Sequence, residues 1–192
     1  MKVLTILGGP NKDGNSAQVL GWVEEELRSK GHKVDRVNVV DYEIGGCRSC
    51  YACQANPDKP GCVQEDDGRK ILRTMTESDV ILLTSPLFCW GFTGQVKPLI
   101  DRWFCFVTGG GTDKRKSLVA GKRFGLIVTG AGPVEKNMDL IVESFRRAVV
   151  WLTADHAGEL LVPFCTAPEA MGPDIRDQAK EFANRVTGEG GK

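Results

Sequence analysis

Short apolar runs alternate along this chain with longer stretches of helical period. Residues 2–7, "KVLTIL", are mostly apolar and end at Gly8-Gly9-Pro10. Over residues 16–30, Val19, Val23 and Leu27 share one face and Leu20 flanks it, the spacing of an amphipathic helix that Gly31 stops. Residues 33–40, "KVDRVNVV", alternate apolar and polar, which predicts a strand with one polar side near a sheet edge. Ile71, Leu72 and Met75 mark a short helix. Residues 79–84, "DVILLT", and 123–129, "RFGLIVT", are apolar on both faces, as strands are inside a parallel sheet covered on both sides. A helix is expected around residues 94–104. A second follows the stripe Met138, Ile141, Val142, Phe145, Ala148, Val149 and Leu152. Residues 156–164 make the fifth strand, and Ile175, Ala179, Phe182 and Val186 mark the last helix.

Strand–helix alternation without an internal repeat or linker predicts one doubly wound α/β domain over residues 1–187, with a flexible tail at 188–192. With five strands the common order is 2-1-3-4-5. Ligands then sit at the carboxyl ends of strands one and three, where the winding direction switches.

Composition narrows the picture. The 192 residues are 41% hydrophobic and 26% charged, a globular balance large enough for a core without disulfide staples. Lys plus Arg and Asp plus Glu number 25 each, so the basic excess of a nucleic-acid binder is missing. The apolar run after Lys2 is too short for a signal peptide and no stretch is long enough to span a membrane. A cytoplasmic protein with no membrane partner is therefore expected, a compartment where stable disulfides are rare.

The loop after the first strand, "GGPNKDGNS", places Gly9, Gly14 and Ser16 at P-loop spacing, with Asn15 where the lysine would stand. Without that lysine nucleoside triphosphate hydrolysis is not expected. Backbone N–H groups, one hydroxyl and a helix N-terminus remain, which suit a single phosphate. A plain turn with Ser16 as N-cap is the alternative. After the third strand, Ser85 and Pro86 are followed by Leu87, Phe88, Cys89, Trp90 and Gly91. Their aromatic rings either sandwich a flat ligand or pack as core beneath a loop. Thr129, Gly130, Ala131 and Gly132 close the same edge with backbone donors.

Cys47, Cys50, Cys53 and Cys62 fall within sixteen residues of a chain that holds seven cysteines. Two-residue gaps suit the thiolates of a cubane cluster. Free thiols packing a loop, a zinc site and a disulfide are the other readings; the short consecutive gaps fit zinc poorly. Cys89 either touches a bound ring or fills space, and Cys105 and Cys165 read as core. Glu65, Asp66 and Asp67 favour the start of the next helix. The basic run 113–116, "DKRK", is either a solvated loop or a contact for the 2′-phosphate of NADPH.

These segments together resemble the NADPH-dependent FMN reductase group of the flavodoxin-like superfamily. The matching residues are "GGPNKDGNS" (8–16), "CRSCYAC" (47–53), "DD" (66–67), "TSPLFCWGFTGQVKPLIDR" (84–102) and "VTGAG" (128–132). The resemblance implies a flavodoxin-like three-layer sandwich that binds FMN. The phosphate would lie near Gly9, Pro10, Asn11, Gly14, Asn15 and Ser16, and the isoalloxazine by Pro86–Gly91 with Thr129–Gly132 nearby. Lys97, Asp101 and Arg102 match the helix that follows the ring loop and are expected to be structural. Iron–sulfur flavoproteins within that group hold a [4Fe–4S] cluster on a compact four-cysteine motif; here Cys47, Cys50 and Cys53 match its spacing, and Cys62 falls one residue beyond the usual last gap. The implied function is an FMN-dependent NAD(P)H oxidoreductase. Its donor would be NAD(P)H or a ferredoxin-type protein, and its acceptor a small molecule such as a quinone or a flavin. The alternative is an electron carrier relaying between a [4Fe–4S] cluster and FMN. A homodimer or homotetramer is implied as well.

Overall fold

The computed structural model describes residues 1–55, 61–109, 113–167 and 171–189. The strands β1 (Lys2–Leu7), β2 (Lys33–Asn38), β3 (Val80–Pro86), β6 (Arg123–Thr129) and β7 (Asp155–Val162) form one parallel sheet in the order β2-β1-β3-β6-β7. This is the expected 2-1-3-4-5 winding. The numbering differs because two short strands, β4 (Val107–Thr108) and β5 (Lys116–Ser117), pair antiparallel outside the main sheet. The sequence reading leaves that segment irregular, since two residues per strand are too few to show a period.

Alternate residues of the sheet feed two cores. Helices α1 (Asn15–Ser29) and α5 (Pro173–Thr187) cover one face, where Val19, Val23, Phe182 and Val186 pack on Val3, Leu7, Leu82 and Ile127. On the other face α2 (Asp67–Glu77) and α4 (Asp139–Trp151) bring Leu72, Met75, Phe145 and Val149 onto Leu4, Ile6, Leu83 and Leu126. Because both faces are covered, β1, β3 and β6 carry almost no exposed side chain, the pattern that makes them legible as apolar runs. The helix expected around 94–104 is shorter: α3 covers Lys97–Asp101 and tightens into a 3₁₀ turn over Arg102–Phe106. Lys97 pairs with Asp101 on its surface at 2.5 Å, whereas Arg102 is fully buried. In the expected tail, Gly188 adopts the left-handed C-cap of α5 and the Glu189 N–H donates to Asn184 O; residues 190–192 lie outside the described part.

The first strand ends where two backbones nearly touch. The Gly8 N–H donates to Thr84 O at 2.7 Å, and the Thr93 hydroxyl donates to Gly8 O. A Cβ on Gly8 would lie 2.9 Å from Thr84 O and from Val96 Cβ. Gly8→Ala is therefore expected to destabilise the fold by about 2 kcal/mol, because the nearest obstacle is main chain that cannot rotate away. Thermal unfolding read by circular dichroism checks this.

Candidate functional site

A cleft opens at the carboxyl ends of β1, β3 and β6. Its volume is about 300 Å³, and Gly9, Pro10, Asn11, Gly14, Asn15, Ser16, Pro86, Leu87, Phe88, Thr129, Gly130, Ala131 and Cys165 line it. No lysine or arginine stands among them. Lys12, the cation of the first loop, turns outward to pair with Asp41 at 2.8 Å.

The N-cap of α1 is Gly14, and no side chain caps the helix. Ser16 therefore lies inside the first turn, where its Oγ shares a 2.6 Å hydrogen bond with Thr129 Oγ1. A glycine cap leaves the first N–H groups of the helix without a side-chain acceptor, and the helix dipole adds positive potential at the same point. Asn11 Oδ1 accepts from the Asp13 N–H and rounds the loop into an Asx turn. Asn15 donates from Nδ2 to Cys165 O at 2.9 Å, tying the loop to the segment after β7, while its Oδ1 is buried without a partner among the described residues. Cys165 is a core residue, as the sequence reading has it, and it also lines the cleft, which that reading misses. Its signal was its position just past the last strand.

The loop after β3 forms the opposite wall. Leu87 N–H donates to Thr129 O, and Phe88 and Gly91 exchange two backbone hydrogen bonds across Cys89 and Trp90. Both turn residues are left-handed, with φ of 48° and 59°. Such a conformation costs a non-glycine residue about 1–2 kcal/mol, so the turn holds its tip by strain. Trp90 is 57% exposed there. A second hollow of about 330 Å³, lined by Leu87, Cys89, Trp90, Ala131, Gly132 and Asn137, meets the cleft along Leu87 and Ala131. Ser85 is buried beneath this wall; its hydroxyl donates to Pro86 O and accepts from the Thr93 N–H. Gly91 lines neither hollow, because it is the closing residue of the turn.

The cleft fits FMN on three counts. Its uncapped helix N-terminus offers donors to a phosphate, and the buried Asn15 Oδ1 is an acceptor that a hydroxyl-bearing ligand would satisfy. The second hollow continues the cleft beneath an exposed indole.

A separate cavity of about 30 Å³ lies between the loop after β2 and the 3₁₀ turn after α3. Cys47, Cys50, Cys53, Cys62 and Cys105 all line it, with Arg102. Ser49 and Tyr51 are left-handed, so the chain coils tightly enough to bring Cys47, Cys50 and Cys53 to one side. Gly61 sits so close to Cys53 that a Cβ there would be 3.0 Å from Cys53 O, and this contact returns Cys62 to the others. Residues 56–60 of the expected return turn lie outside the described part. Gln54 and Gln64 clamp the loop by donating to Val107 O and Gly46 O, each at 3.0 Å. Among the described residues no three side chains converge as ligands of one metal ion, and all seven cysteines are free thiols, so no disulfide forms. Burial, together with the charges of Cys62 and Cys53, pushes the Cys105 thiol up to about 12.

Asp66 caps α2 by accepting from the Arg69 N–H, as the acidic run predicts. It also accepts twice from Arg102 Nη1, at 2.7 Å to each carboxylate oxygen. Burial raises its pKa, but the hydrogen bonds from Arg102 and Gly45 outweigh that and hold it below the usual 3.8.

The profile of the family described as "NADPH-dependent FMN reductase" matches residues 1–167. The chain belongs to that family. Within the family's reach, the chain is 35% identical over 132 residues to an iron-sulfur flavoprotein of Archaeoglobus fulgidus, covering 69% of this chain and 56% of that one. It is 31% identical over 102 residues to an iron-sulfur flavoprotein of Methanosarcina thermophila, covering 53% and 52%. It thus spans about half the length of the curated relatives it matches. Among solved structures, an azoreductase from Bacillus anthracis superposes with a TM-score of 0.73 at 13% identity, covering 97% of this chain and 98% of that one. An NAD(P)H:quinone oxidoreductase from Methanothermobacter marburgensis does so at 0.69 and 14%, covering 98% of each. These likenesses confirm the flavodoxin-like fold. Among the described residues no helix is long and apolar enough to cross a membrane.

Proposed function

We propose that this chain is an FMN-dependent oxidoreductase that takes reducing equivalents from NAD(P)H or a ferredoxin-type donor and passes them to a small acceptor such as a quinone or a flavin. The observation that carries this reading is the two-part cleft, with free helix N–H donors at one end and a ring-sized hollow at the other. Bound there, FMN would supply hydride and single-electron chemistry, while the protein binds and orients it. Gly9–Ser16 would hold the phosphate by backbone donors. Pro86, Leu87, Phe88, Cys89 and Trp90 would wall the ring, and Ala131 and Gly132 would present N–H groups along its edge; Gly130, expected among these donors, gives its N–H to Val162 O at 3.0 Å instead. A cytoplasmic location and a homodimer or homotetramer go with this reading.

Titration of the purified protein with FMN, followed by NAD(P)H oxidation in the presence of a quinone, tests it. Tight binding with quenched flavin fluorescence and steady turnover is expected. Protein that ignores FMN overturns it.

A second reading is favoured by the cysteine cavity: an electron carrier in which Cys47, Cys50, Cys53 and Cys62 hold a [4Fe–4S] cluster. Several thiols around one hollow, with amide donors from Gln54 and Gln64 beside Cys53 and Cys62, are the right donor set. A cubane spreads its thiolates over four irons, so it does not need the single point of convergence that zinc needs. It does need more room than the present hollow, and the exposed Cys47 and Cys50 are the arm placed to give it. Iron and sulfide counted after anaerobic purification decide this reading.

A further inference from the structure

Among the described residues Arg102 is the largest fully buried side chain, at 1% exposure, and only one of its three nitrogens donates to oxygen. Nη1 donates two hydrogen bonds to the Asp66 carboxylate and one, at 3.3 Å, to Gly45 O. Among the described residues Nε and Nη2 are buried without a partner at hydrogen-bond geometry, and on the cavity side the guanidinium interacts with the Cys62 sulfur. The guanidinium lines the cysteine cavity, beside Cys62. Gly68 packs against the guanidinium so closely that a Cβ there would lie 2.5 Å from Nη1. A buried cation that served packing alone would have its donors satisfied, because each unmet buried donor costs about 1–3 kcal/mol. A guanidinium anchored on a carboxylate at one nitrogen, with no carboxylate or carbonyl on the other two and a thiol beside it, is built to receive a negative charge that arrives later.

We propose that the free Nε/Nη2 edge of Arg102, held in place by Asp66, is the counter-charge that tunes the redox group carried by the cysteine loop. The inference rests on the second reading above. Four thiolates give a cluster net negative charge, and each electron it accepts, from reduced FMN or from dithionite in the laboratory, adds one more. A fixed positive edge within the same low-dielectric hollow favours the reduced form. Arg102 is thus a positioning residue rather than a ligand.

The test uses the complete chain loaded anaerobically with iron and sulfide, FMN present, in wild-type form and as Arg102→Lys and Arg102→Gln. Redox titration with dithionite, followed by electron paramagnetic resonance, reads the midpoint of the cluster. Arg102→Gln is expected to lower it, so that the ratio of reduced to oxidised cluster at a fixed potential falls about tenfold or more, while Arg102→Lys falls between. Equal midpoints in three fully loaded proteins overturn the inference. Should neither variant fold, Arg48→Gln protein labelled with ¹⁵N in the guanidino groups of arginine gives the answer without touching Arg102. A ¹⁵N hyperfine coupling to the reduced cluster supports the proposal, and its absence overturns it. Wild-type protein that takes up no iron refutes the cluster reading itself, and the inference with it, an outcome distinct from loaded protein with unmoved midpoints.

Discussion

Asn15→Asp is expected to weaken FMN binding about 100-fold and to leave riboflavin binding within about threefold of wild type. The substitution changes one amide nitrogen to oxygen and keeps the side chain's shape. Its effect is large because the cleft contains no basic side chain to absorb a new carboxylate. In the proposed site the phosphate charge would meet backbone N–H groups and the helix dipole with no cationic side chain, and a carboxylate beside them would compete for both. Two like charges a few ångströms apart in a half-buried site repel by about 2–4 kcal/mol, which is where the 100-fold comes from. The fold itself should lose little. The bond from Asn15 Nδ2 to Cys165 O goes, at a cost of about 1 kcal/mol, and an acid in the first turn of α1 returns part of that. Riboflavin lacks the phosphate, so its affinity separates repulsion from damage to the cleft. Fluorescence titration of the apoprotein with both ligands gives the comparison. Equal losses for FMN and riboflavin would place the phosphate away from this loop.

The alternation of doubly apolar strands with helical stripes was enough to obtain the sheet order, because burial on both faces writes itself directly into β1, β3 and β6. The cleft was legible for a related reason: Gly9, Gly14 and Ser16 keep a fixed spacing across a single turn, and the turn's position at the switch point supplied its meaning. What stayed hidden depended on long-range contact. Cys165 enters the cleft through a backbone carbonyl 150 positions from Asn15, and no local pattern marks a carbonyl. Ser16 is read as part of the phosphate loop with an N-cap as the alternative; the cap is Gly14, and the Ser16 hydroxyl is engaged by Thr129 on another strand. Cys105 looked like core and is core, but the wall it belongs to is that of the cysteine cavity. Arg102 was placed in a structural helix by resemblance. That its guanidinium turns inward to meet Asp66 follows from the 3₁₀ tightening after Asp101, which no hydrophobic period announces.

Asp66→Asn is expected to destabilise the protein by about 3 kcal/mol and to lower its melting temperature by about 6–12 °C. Asparagine caps a helix as well as aspartate does, so the α2 cap survives and the loss falls on the ion pair and on the second carboxylate oxygen, which also accepts from the Gly45 N–H. The cost arises on the other partner, since Arg102 is left as a buried cation without a counter-charge, and removing one member of such a pair is far worse than removing both. The double variant Asp66→Asn with Arg102→Met should accordingly recover part of the stability lost in Asp66→Asn alone. The pH dependence carries a second signature. The folded-state pKa of Asp66 is depressed, so its contribution is complete above the ordinary value of 3.8 and is lost as pH falls through the lower folded value. Wild-type protein should therefore lose stability in that acid window more steeply than Asp66→Asn, and the two denaturation curves should converge there. Urea midpoints measured from neutral pH down into the acid range give both the gap and its closing. A gap that persists unchanged at low pH would mean that packing, and not the charge of Asp66, is what Arg102 depends on.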